Sequence, residues 1–422
     1  MNSKLILVHD YAGHPFQIQL SRFLAARLEP LGYQVVHAYS ASTLTPRGPL
    51  ARQITDPPNF DIQPINLNAT IPKYSFVKRA KMERAYGRLF IGLCNRLKPA
   101  KVLSANTPTF AQAQLIRWAG RHDTEVFTWI QDMYGVAAKK VLGSKFGTLG
   151  RFIGTALIKV DHWTYRRSTG VIPITEDFVA PLKAANVPHD KIQVVENWAP
   201  LDEVPPQARE NDWTIENGVD NRTRFVYSGT LSVRHNPQLL LDLAKRLSVE
   251  GSGQLIVVSE GSAAEWLRSE GANLTTLRVL PFQPFERLSE LFGAADILVA
   301  ILEPDAGTFC VPSKVLSYFC AGRALLTAIP EENEAARLVR KVGAGINVAP
   351  RESSEFIAQA LELLDNPNQR DAMGRNARSY AEQKFDIQQI AVMTDLKEKD
   401  FEHYHVHPTT PAKTIWTSDI IN

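Results

Sequence analysis

The sequence is poor in cysteine. Its 422 residues include three cysteines, Cys94, Cys310 and Cys320, and none of them forms a CxxC pair. An odd number of thiols cannot close into a complete set of disulfides. Free thiols in a reducing compartment are therefore expected.

Long apolar runs are also missing. The first run, Leu5 to Val8, is too short for the apolar segment of a secretory signal. No stretch approaches the roughly 20 apolar residues that span a bilayer. The formal net charge is only +3, which does not favour a nucleic acid partner. We expect a cytoplasmic protein whose contact with a membrane is peripheral and on its inner face.

The patterns of cofactor and metal sites are absent as well. The loop after the first predicted strand is not GxGxxG, which argues against a dinucleotide cofactor. No cluster of His, Asp and Glu has the spacing of a metal site. Neither a cofactor nor a metal is predicted.

Alternating strand and helix patterns dominate what is present. Leu5–Val8, a helical pattern from Phe16 to Leu31, and a strand from Tyr33 to Tyr39 form a βαβ unit. A more regular alternation starts at Thr223. It predicts strands at 223–228, 254–258, 276–280, 297–301 and 324–328, and helices at 237–247, 263–269, 285–293, 313–321 and 334–342. The fold class is therefore α/β, with two doubly wound parallel sheets. The predicted division is a domain at 1–199, a linker at 200–221, a domain at 222–385, a helix at 386–402 that packs back toward the first domain, and a mobile tail at 403–422.

Ligands of such sheets bind in the loops at the carboxyl ends of strands, where helices begin. The first loop contains Gly13 and His14. The matching loop of the second domain contains Gly229 and Arg234, and arginine suits phosphate geometry. Each of these residues could also be ordinary surface.

The most informative segment runs from Glu303 to Arg323. Ser313 is predicted to cap a helix whose first turn contains Lys314, a cation placed against the helix dipole. A bound diphosphate explains that placement better than stability does. Glu303 and Asp305 lie just upstream and could accept hydrogen bonds from sugar hydroxyls.

Several motifs resemble those of retaining glycosyltransferases of family four, which have the GT-B fold of two Rossmann-like domains facing across a cleft. They are Val311-Pro-Ser-Lys314, Ala321-Gly-Arg323, Tyr227-Ser-Gly-Thr-Leu231, Ser259-Glu-Gly261, Asn197-Trp198 and Gly374-Arg-Asn-Ala-Arg378. Gly13-His-Pro15 and Gln131-Asp-Met-Tyr134 are similar to segments of bacterial polysaccharide-assembly members. Their order along the chain is more specific than any single motif.

The resemblance implies roles for individual residues. Arg234 and Lys314 would hold the donor diphosphate, and Glu260, Phe282 and Gln283 would lie near the base. The resemblance adds Gly13, Asp305, Gly307 and Pro312 to the donor site. The positions of the residues in the loops add Gly229, Glu303, Ser313 and Glu334 as further donor-site candidates. His14 and Asp132 would face the donor as the catalytic pair.

The sequence departs from the family pattern at three positions. Phe309 and Ser317 replace two glutamates that usually order the sugar and the ribose, and Thr230 replaces an arginine. Glu303, Asp305 and Glu334 are candidates for the missing roles.

Two basic and aromatic stretches, 73–98 and 139–167, fit either an anionic membrane surface or a solvated face over core residues. The basic residues proposed to meet the membrane are Lys73, Lys78, Arg79, Lys81, Arg84, Arg88, Lys139 and Lys140.

The expected function is transfer of a sugar from a nucleotide-sugar, UDP-linked, to a lipid-linked saccharide in bacterial surface polysaccharide synthesis. The resemblance implies retention of anomeric configuration, no metal, and a nucleotide-sugar that is a substrate rather than a cofactor. Two alternatives remain open: a nucleotide-sugar 2-epimerase of the same fold, and a catalytically inactive partner subunit.

Overall fold

Two six-stranded parallel sheets form the framework of the chain. The computed structural model describes residues 4–43, 48–71, 75–231, 235–302, 304, 312–388 and 390. The strand orders are β3-β2-β1-β4-β5-β6 and β12-β11-β10-β7-β8-β9. Helices connect most successive strands, so the predicted α/β class and doubly wound topology are confirmed.

The strands of the first sheet are mostly buried, apart from the edge strand β3. The strands are β1 Leu5–Asp10, β2 Gln34–Ser40, β3 Phe60–Ile65, β4 Lys101–Ala105, β5 Glu125–Ile130 and β6 Gly170–Pro173. Its helices are α1 Pro15–Leu28, α2 Phe76–Leu97, α3 Thr109–Ala119, α4 Tyr134–Arg167 and α5 Val179–Ala184. Because β3 is an edge strand, it tolerates Pro64, which has no N–H to donate.

The second sheet follows the predicted alternation closely. Its strands are β7 Thr223–Ser228, β8 Gly253–Val258, β9 Leu277–Leu280, β10 Ile297–Ile301, β11 Ala324–Ala328 and β12 Gly345–Val348. The helices are α6 Asp212–Glu216, α7 Pro237–Glu250, α8 Ser262–Glu270, α9 Leu288–Gly293, α10 Ser313–Ala321, α11 Glu334–Val342, α12 Ser353–Asp365 and α13 Pro367–Lys384. The predicted helix from Phe285 to Gly293 is a 3-10 turn, Phe285–Arg287, followed by α9.

Helix α4 is a hairpin of two helices. Gly147 lies inside it with φ 58° and ψ −132°, which reverses the chain. Glycines along the contact let the two halves approach closely, since a Cβ on Gly154 would lie 2.2 Å from Lys139 Cα. The sequence did not predict this hairpin.

The two domains share a continuous apolar core. One buried cluster contains Trp198 from the first domain and Phe319 and Phe385 from the second. Arg337 on α11 donates to Asp177 across the domains at 2.6 Å. The two domains therefore pack directly against each other.

The segment predicted as a linker, 200–221, packs on the second domain. Trp213 of α6 is buried. The buried Arg224 side chain donates to the carbonyls of Arg209 and Asp220, at 2.8 Å each, and to the Glu210 carboxylate at 2.8 Å. This one guanidinium ties the connecting segment to the start of β7.

The end of the chain falls mostly outside the described residues. That applies to the predicted helix at 386–402, apart from residues 386–388 and 390, and to the predicted tail at 403–422. Among the described helices, none combines the length and apolar character needed to cross a bilayer.

Replacing Arg224 tests how the connecting segment is held. Arg224→Ala removes the donor that the Arg209 and Ala294 carbonyls share, so the free energy of unfolding of the second domain should fall by about 3 kcal/mol. Urea denaturation followed by tryptophan fluorescence measures it. The matched control is Arg246→Ala, which removes a half-exposed pair with Glu250 and should cost under ~0.5 kcal/mol. Equal losses in the two variants would contradict the assignment.

Candidate functional site

Each sheet has one point where the strand order reverses. The reversal lies between β1 and β4 in the first sheet and between β7 and β10 in the second. Loops diverge at such points and leave a crevice for a ligand. His14 follows β1, Gly229 follows β7, and Lys314 lies in the helix after β10. Candidate residues from both halves therefore flank the reversal points.

A buried carboxylate holds His14 in place. Asp10, the last residue of β1, is fully buried and accepts hydrogen bonds from the backbone N–H groups of Ala12 and His14. Its Oδ2 lies 3.0 Å from His14 Nδ1. Gly13 has φ 78°, a left-handed conformation that turns the chain back toward Asp10. With Nδ1 donating to Asp10, the His14 Nε2 atom remains for a ligand.

Asp10 and His14 each shift the pKa of the other. Burial alone would lower the pKa of His14, but the Asp10 carboxylate and, more weakly, Asp132 hold that pKa above its ordinary value. Burial would raise the pKa of Asp10, yet His14 and its hydrogen bonds keep that pKa below the usual range. The pair therefore favours a carboxylate beside a protonated or strongly polarised imidazole.

Asp132 stands beside this pair at the end of β5. Burial raises the pKa of Asp132 to about 6, and His14 partly offsets the effect. Asp132 lines a small polar pocket with Asn106, Gln131 and Tyr134. The Tyr134 hydroxyl donates to the Asn106 carbonyl at 3.0 Å. The buried Gln131 Nε2 has no partner among the described residues and is available to a polar ligand.

Lys314 is the central cation of the second half. Its Nζ lies 4.0 Å from the centroid of the Tyr227 ring. A Cβ on Gly229, whose φ is 124°, would lie 3.1 Å from Nζ, so glycine leaves room above the ammonium. No carboxylate of the described residues lies within salt-bridge distance. Burial lowers the pKa of Lys314 to about 7.

Helix α10 begins without a side-chain cap. Pro312, not Ser313, occupies the N-cap position, so the predicted capping role of Ser313 is wrong. Proline has no hydroxyl with which to cap, and it extends the backbone just before the helix. The first-turn N–H groups and Lys314 are therefore close together at one helix end, as an anion site requires.

Of the three residues expected near a nucleotide base, Glu260 and Phe282 are in contact with each other. Glu260 Oε1 accepts from the Phe282 backbone N–H at 3.1 Å, and Phe282 is 38% exposed. Gln283 uses its carbonyl oxygen to accept from Trp213 Nε1 at 2.8 Å. Phe282 and Glu260 therefore face a common space, whereas the Gln283 carbonyl oxygen is engaged with α6.

Glu334 lies between the two domains. It opens α11 and hydrogen-bonds Thr175 of the first domain. Burial raises the pKa of Glu334, and Oε2 has no partner among the described residues. It lines an interdomain pocket with Glu196 and Tyr380.

Several candidates lie outside the described residues: Lys73, Arg234, Glu303, Asp305 and Gly307. Within the described ranges, no three His, Cys, Asp or Glu side chains cluster as metal ligands. Sequence reasoning missed Asp10, Asn106 and Tyr134 as polar groups of the site. Asp10 and Asn106 each lie at or just after the carboxyl end of a strand, which was the available signal.

Two family models match consecutive parts of the chain. One, described as a glycosyl transferase 4-like domain, matches residues 18–198, and the other, glycosyl transferases group 1, matches residues 222–366. Together they cover most of both sheets. The chain belongs to the GT4-type glycosyltransferases. A search of curated protein sequences returned no significant match.

Solved structures share the fold of this glycosyltransferase at low identity. Sucrose-phosphate synthase from Thermosynechococcus elongatus has a TM-score of 0.69 at 16% identity, covering 92% of this chain and 97% of its own. HepE from Anabaena, in complex with UDP, gives 0.64 at 12%, covering 92% and 98%. WaaG, a glycosyltransferase involved in lipopolysaccharide biosynthesis, gives 0.65 at 15%, covering 93% and 100%. The GT-B fold is thereby established.

The Asp10–His14 pair makes a direct prediction. In Asp10→Asn the carboxylate no longer favours the imidazolium while burial still opposes it, so the pKa of His14 should fall below its wild-type value. NMR titration of labelled histidine measures this, and loss of the resonance in His14→Gln assigns it. Asp61→Asn, an exposed site on β3, is the matched control. An unchanged or higher His14 pKa in Asp10→Asn would refute the pairing.

Proposed function

We propose that this glycosyltransferase moves a sugar from a UDP-sugar to a lipid-linked saccharide, with retention, in bacterial surface polysaccharide synthesis. The observation that carries the proposal is Lys314, a buried cation at an uncapped helix N-terminus with no carboxylate of the described residues beside it. Burying an unpaired charge is costly, which favours an anionic ligand as its missing partner.

The diphosphate fits this position in charge and geometry. Lys314 and the first-turn N–H groups of α10 would contact its oxygens, and Gly229 leaves the approach open. Arg234, Glu303, Asp305, Gly307, Pro312 and Ser313 are proposed to complete the donor site. The nucleotide in the HepE complexes, UDP or UDP-glucose, supports the choice of uridine.

The proposed base site lies at the ends of β8 and β9. The exposed Phe282 ring offers a stacking face, and its backbone N–H holds Glu260 in position. Gln283 remains a candidate through its amide nitrogen, which donates to the Pro281 carbonyl at 3.0 Å. Glu334 is proposed to order the sugar or the ribose from the interdomain side.

The proposed reaction breaks the bond between the anomeric carbon and the diphosphate oxygen. Lys314 and the helix N–H groups stabilise the charge that develops on that oxygen. The acceptor hydroxyl approaches on the same face and forms the new bond, and its proton passes to the departing diphosphate. No metal enters this scheme.

The first domain is proposed to hold the acceptor side of the reaction. Asp10 keeps His14 Nε2 available to the transferred sugar, and Asp132 is close enough to influence the imidazole charge. The polar pocket beside Asp132 offers one unpaired amide donor, Gln131 Nε2, of the kind that binds saccharide hydroxyls.

A lipid-linked acceptor implies contact with the inner face of a membrane. Of the proposed basic residues, Lys78, Lys81, Arg84, Arg88, Lys139 and Lys140 are exposed. Arg79 is only half-exposed, and its Nε donates to Glu83 at 2.7 Å. The exposed Arg84 guanidinium lies over the Phe110 ring, 3.9 Å from its centroid. The exposed set is the better candidate for the membrane surface.

Product analysis separates this function from its two alternatives. The donor sugar is incubated with and without a lipid-linked acceptor, and the anomeric signals are followed by proton NMR. The proposal predicts acceptor-dependent product with retained configuration. Epimerisation of the donor alone would identify a 2-epimerase, and no turnover under either condition would favour an inactive partner subunit.

Lys314→Ala should weaken UDP binding about tenfold or more, because one charge-assisted hydrogen bond contributes about 1.5–3 kcal/mol. Isothermal titration calorimetry measures the dissociation constant. Lys245→Ala, an exposed lysine on α7, is the matched control and should bind as the wild type does.

The pH dependence of UDP binding has a definite sign. Since the pKa of free Lys314 is about 7, the ammonium already exists below that pH and must be formed on binding above it. Wild-type affinity should therefore fall between about pH 7 and 9, by at most about tenfold per pH unit. Lys314→Ala should show no such fall, and the same slope in both proteins would exclude Lys314 as the diphosphate ligand.

His14→Ala and Asp132→Asn should lower kcat while leaving UDP affinity near the wild-type value, since both residues lie on the acceptor side. Steady-state kinetics and calorimetry on the same preparations test this. The exposed His189→Ala and Asp190→Asn serve as matched controls. Normal turnover in both site variants would show that His14 and Asp132 are structural.

A further inference from the structure

The α4 hairpin ends in a tip, residues 144–153, in which every residue except Gly150 is exposed. A Cβ on Gly150 would lie 1.9 Å from the Leu142 carbonyl oxygen, and one on Gly135 would lie 2.9 Å from Ile158 Cα. The two halves therefore pack closely from the base to near the reversal at Gly147. Because the two helices pack this closely, we expect the hairpin tip to be held rigidly.

The hairpin tip lies beyond the same edge of the sheet as His14. The Tyr86 hydroxyl on α2 forms a hydrogen bond with Nε2 of His9, which lies near the carboxyl end of β1. Phe76 begins α2 ten residues earlier, roughly 15 Å further along the helix. Lys145 Nζ of the hairpin tip lies 5.8 Å from the Phe76 ring centroid. The tip and the start of α2 therefore stand together on the ligand side of the first sheet.

Large apolar side chains are concentrated on the hairpin tip. The described part of the chain exposes ten of them, and four lie within the hairpin tip. These are Phe146, Leu149, Phe152 and Ile153, exposed by 49%, 64%, 74% and 42%; Val77, beside Phe76, is exposed by 72%. Several exposed aromatic and aliphatic side chains on one rigid element are typical of a binding surface.

The charge around the hairpin tip has one sign. The sequence has no acidic residue between Asp132 and Asp161, and the five basic residues in that interval are all exposed. They are Lys139, Lys140, Lys145, Arg151 and Lys159. An apolar tip ringed by cations complements an anionic bilayer, whose headgroups carry the opposite charge above an apolar interior.

We infer that the hairpin tip inserts into the headgroup layer of an anionic membrane and holds the ligand side of the first domain against the bilayer. The inference deepens the proposed function and rests on it for the lipid-linked acceptor, which the docked orientation would present to the cleft. A two-fold contact between copies is disfavoured, because it would bring the cations of one tip against those of the other.

Vesicle sedimentation with the full chain tests the inference. Vesicles of phosphatidylcholine with and without phosphatidylglycerol are the probes. Leu149→Glu and Phe152→Glu should each weaken binding to the anionic vesicles by about tenfold or more, since each replaces an inserted apolar group with an anion. Val249→Glu, with 76% exposure on α7, is the matched apolar control and should bind as the wild type does.

A second pair of variants tests the charge. Arg151→Glu should weaken binding to anionic vesicles, and the effect should diminish as salt rises. Lys245→Glu on α7 is its control. Equal losses in tip and control variants, equal wild-type binding to both vesicle types, or no wild-type binding would overturn the inference. So would tip variants that convert a dimer to a monomer without changing vesicle binding.

UDP affinity of the same variants separates this inference from the donor assignment. The tip belongs to the first domain and Lys314 to the second, so UDP binding should be unchanged in all of them. Vesicle binding through the tip by a chain that fails to bind UDP would remove the proposed donor while leaving the membrane contact intact.

Discussion

A buried ammonium without a carboxylate of the described residues beside it is the constraint around which the second domain is arranged. Lys314 could avoid burial by extending into solvent, but the structure places its Nζ against the Tyr227 ring and beneath Gly229. Burial lowers its pKa to about 7, so the site loses much of its charge at neutral pH until an anion restores it. The reversal point of the sheet and the uncapped start of α10 meet at this group.

In the first domain the buried charged group is an anion, the carboxylate of Asp10. Asp10 lies at the end of β1 and is satisfied by two backbone N–H groups and by His14. The carboxylate fixes the loop and the imidazole together, so the geometry of His14 depends on the strand rather than on a mobile loop. The two domains thus present a cation and a polarised imidazole at matching edges of two similar sheets.

Sequence patterns predicted the second domain well because each of its buried strands is followed by a short amphipathic helix. The strands at 223–228, 297–301 and 324–328 and the helices at 313–321 and 334–342 begin and end where expected. The first domain was harder. Its short edge strands β3 and β6 lack a clear alternation, and the positive φ at Gly147 that makes the α4 hairpin leaves no periodic signal.

The site residues also divide into those that the sequence predicted and those that it did not. Gly13 and Gly229 were predicted because a backbone that approaches a ligand closely favours glycine. Lys314 was predicted because a cation in the first turn of a helix is unfavourable without an anion. Asp10 was missed since an acid at a strand end is common, and only the fold shows that it is buried against His14. The cap was wrongly assigned to Ser313 because proline at the N-cap was not considered. Arg79 of α2 pairs with the buried Glu83, whereas the other described basic residues proposed on α2 are exposed, and composition cannot show this difference.

A crystal structure of the protein with UDP would show directly whether Lys314 binds the diphosphate. We expect the β-phosphate within about 3 Å of Lys314 Nζ and of a first-turn N–H of α10, with the ammonium moved toward the phosphate. UDP bound elsewhere, with Lys314 still lying on the Tyr227 ring, would contradict this expectation.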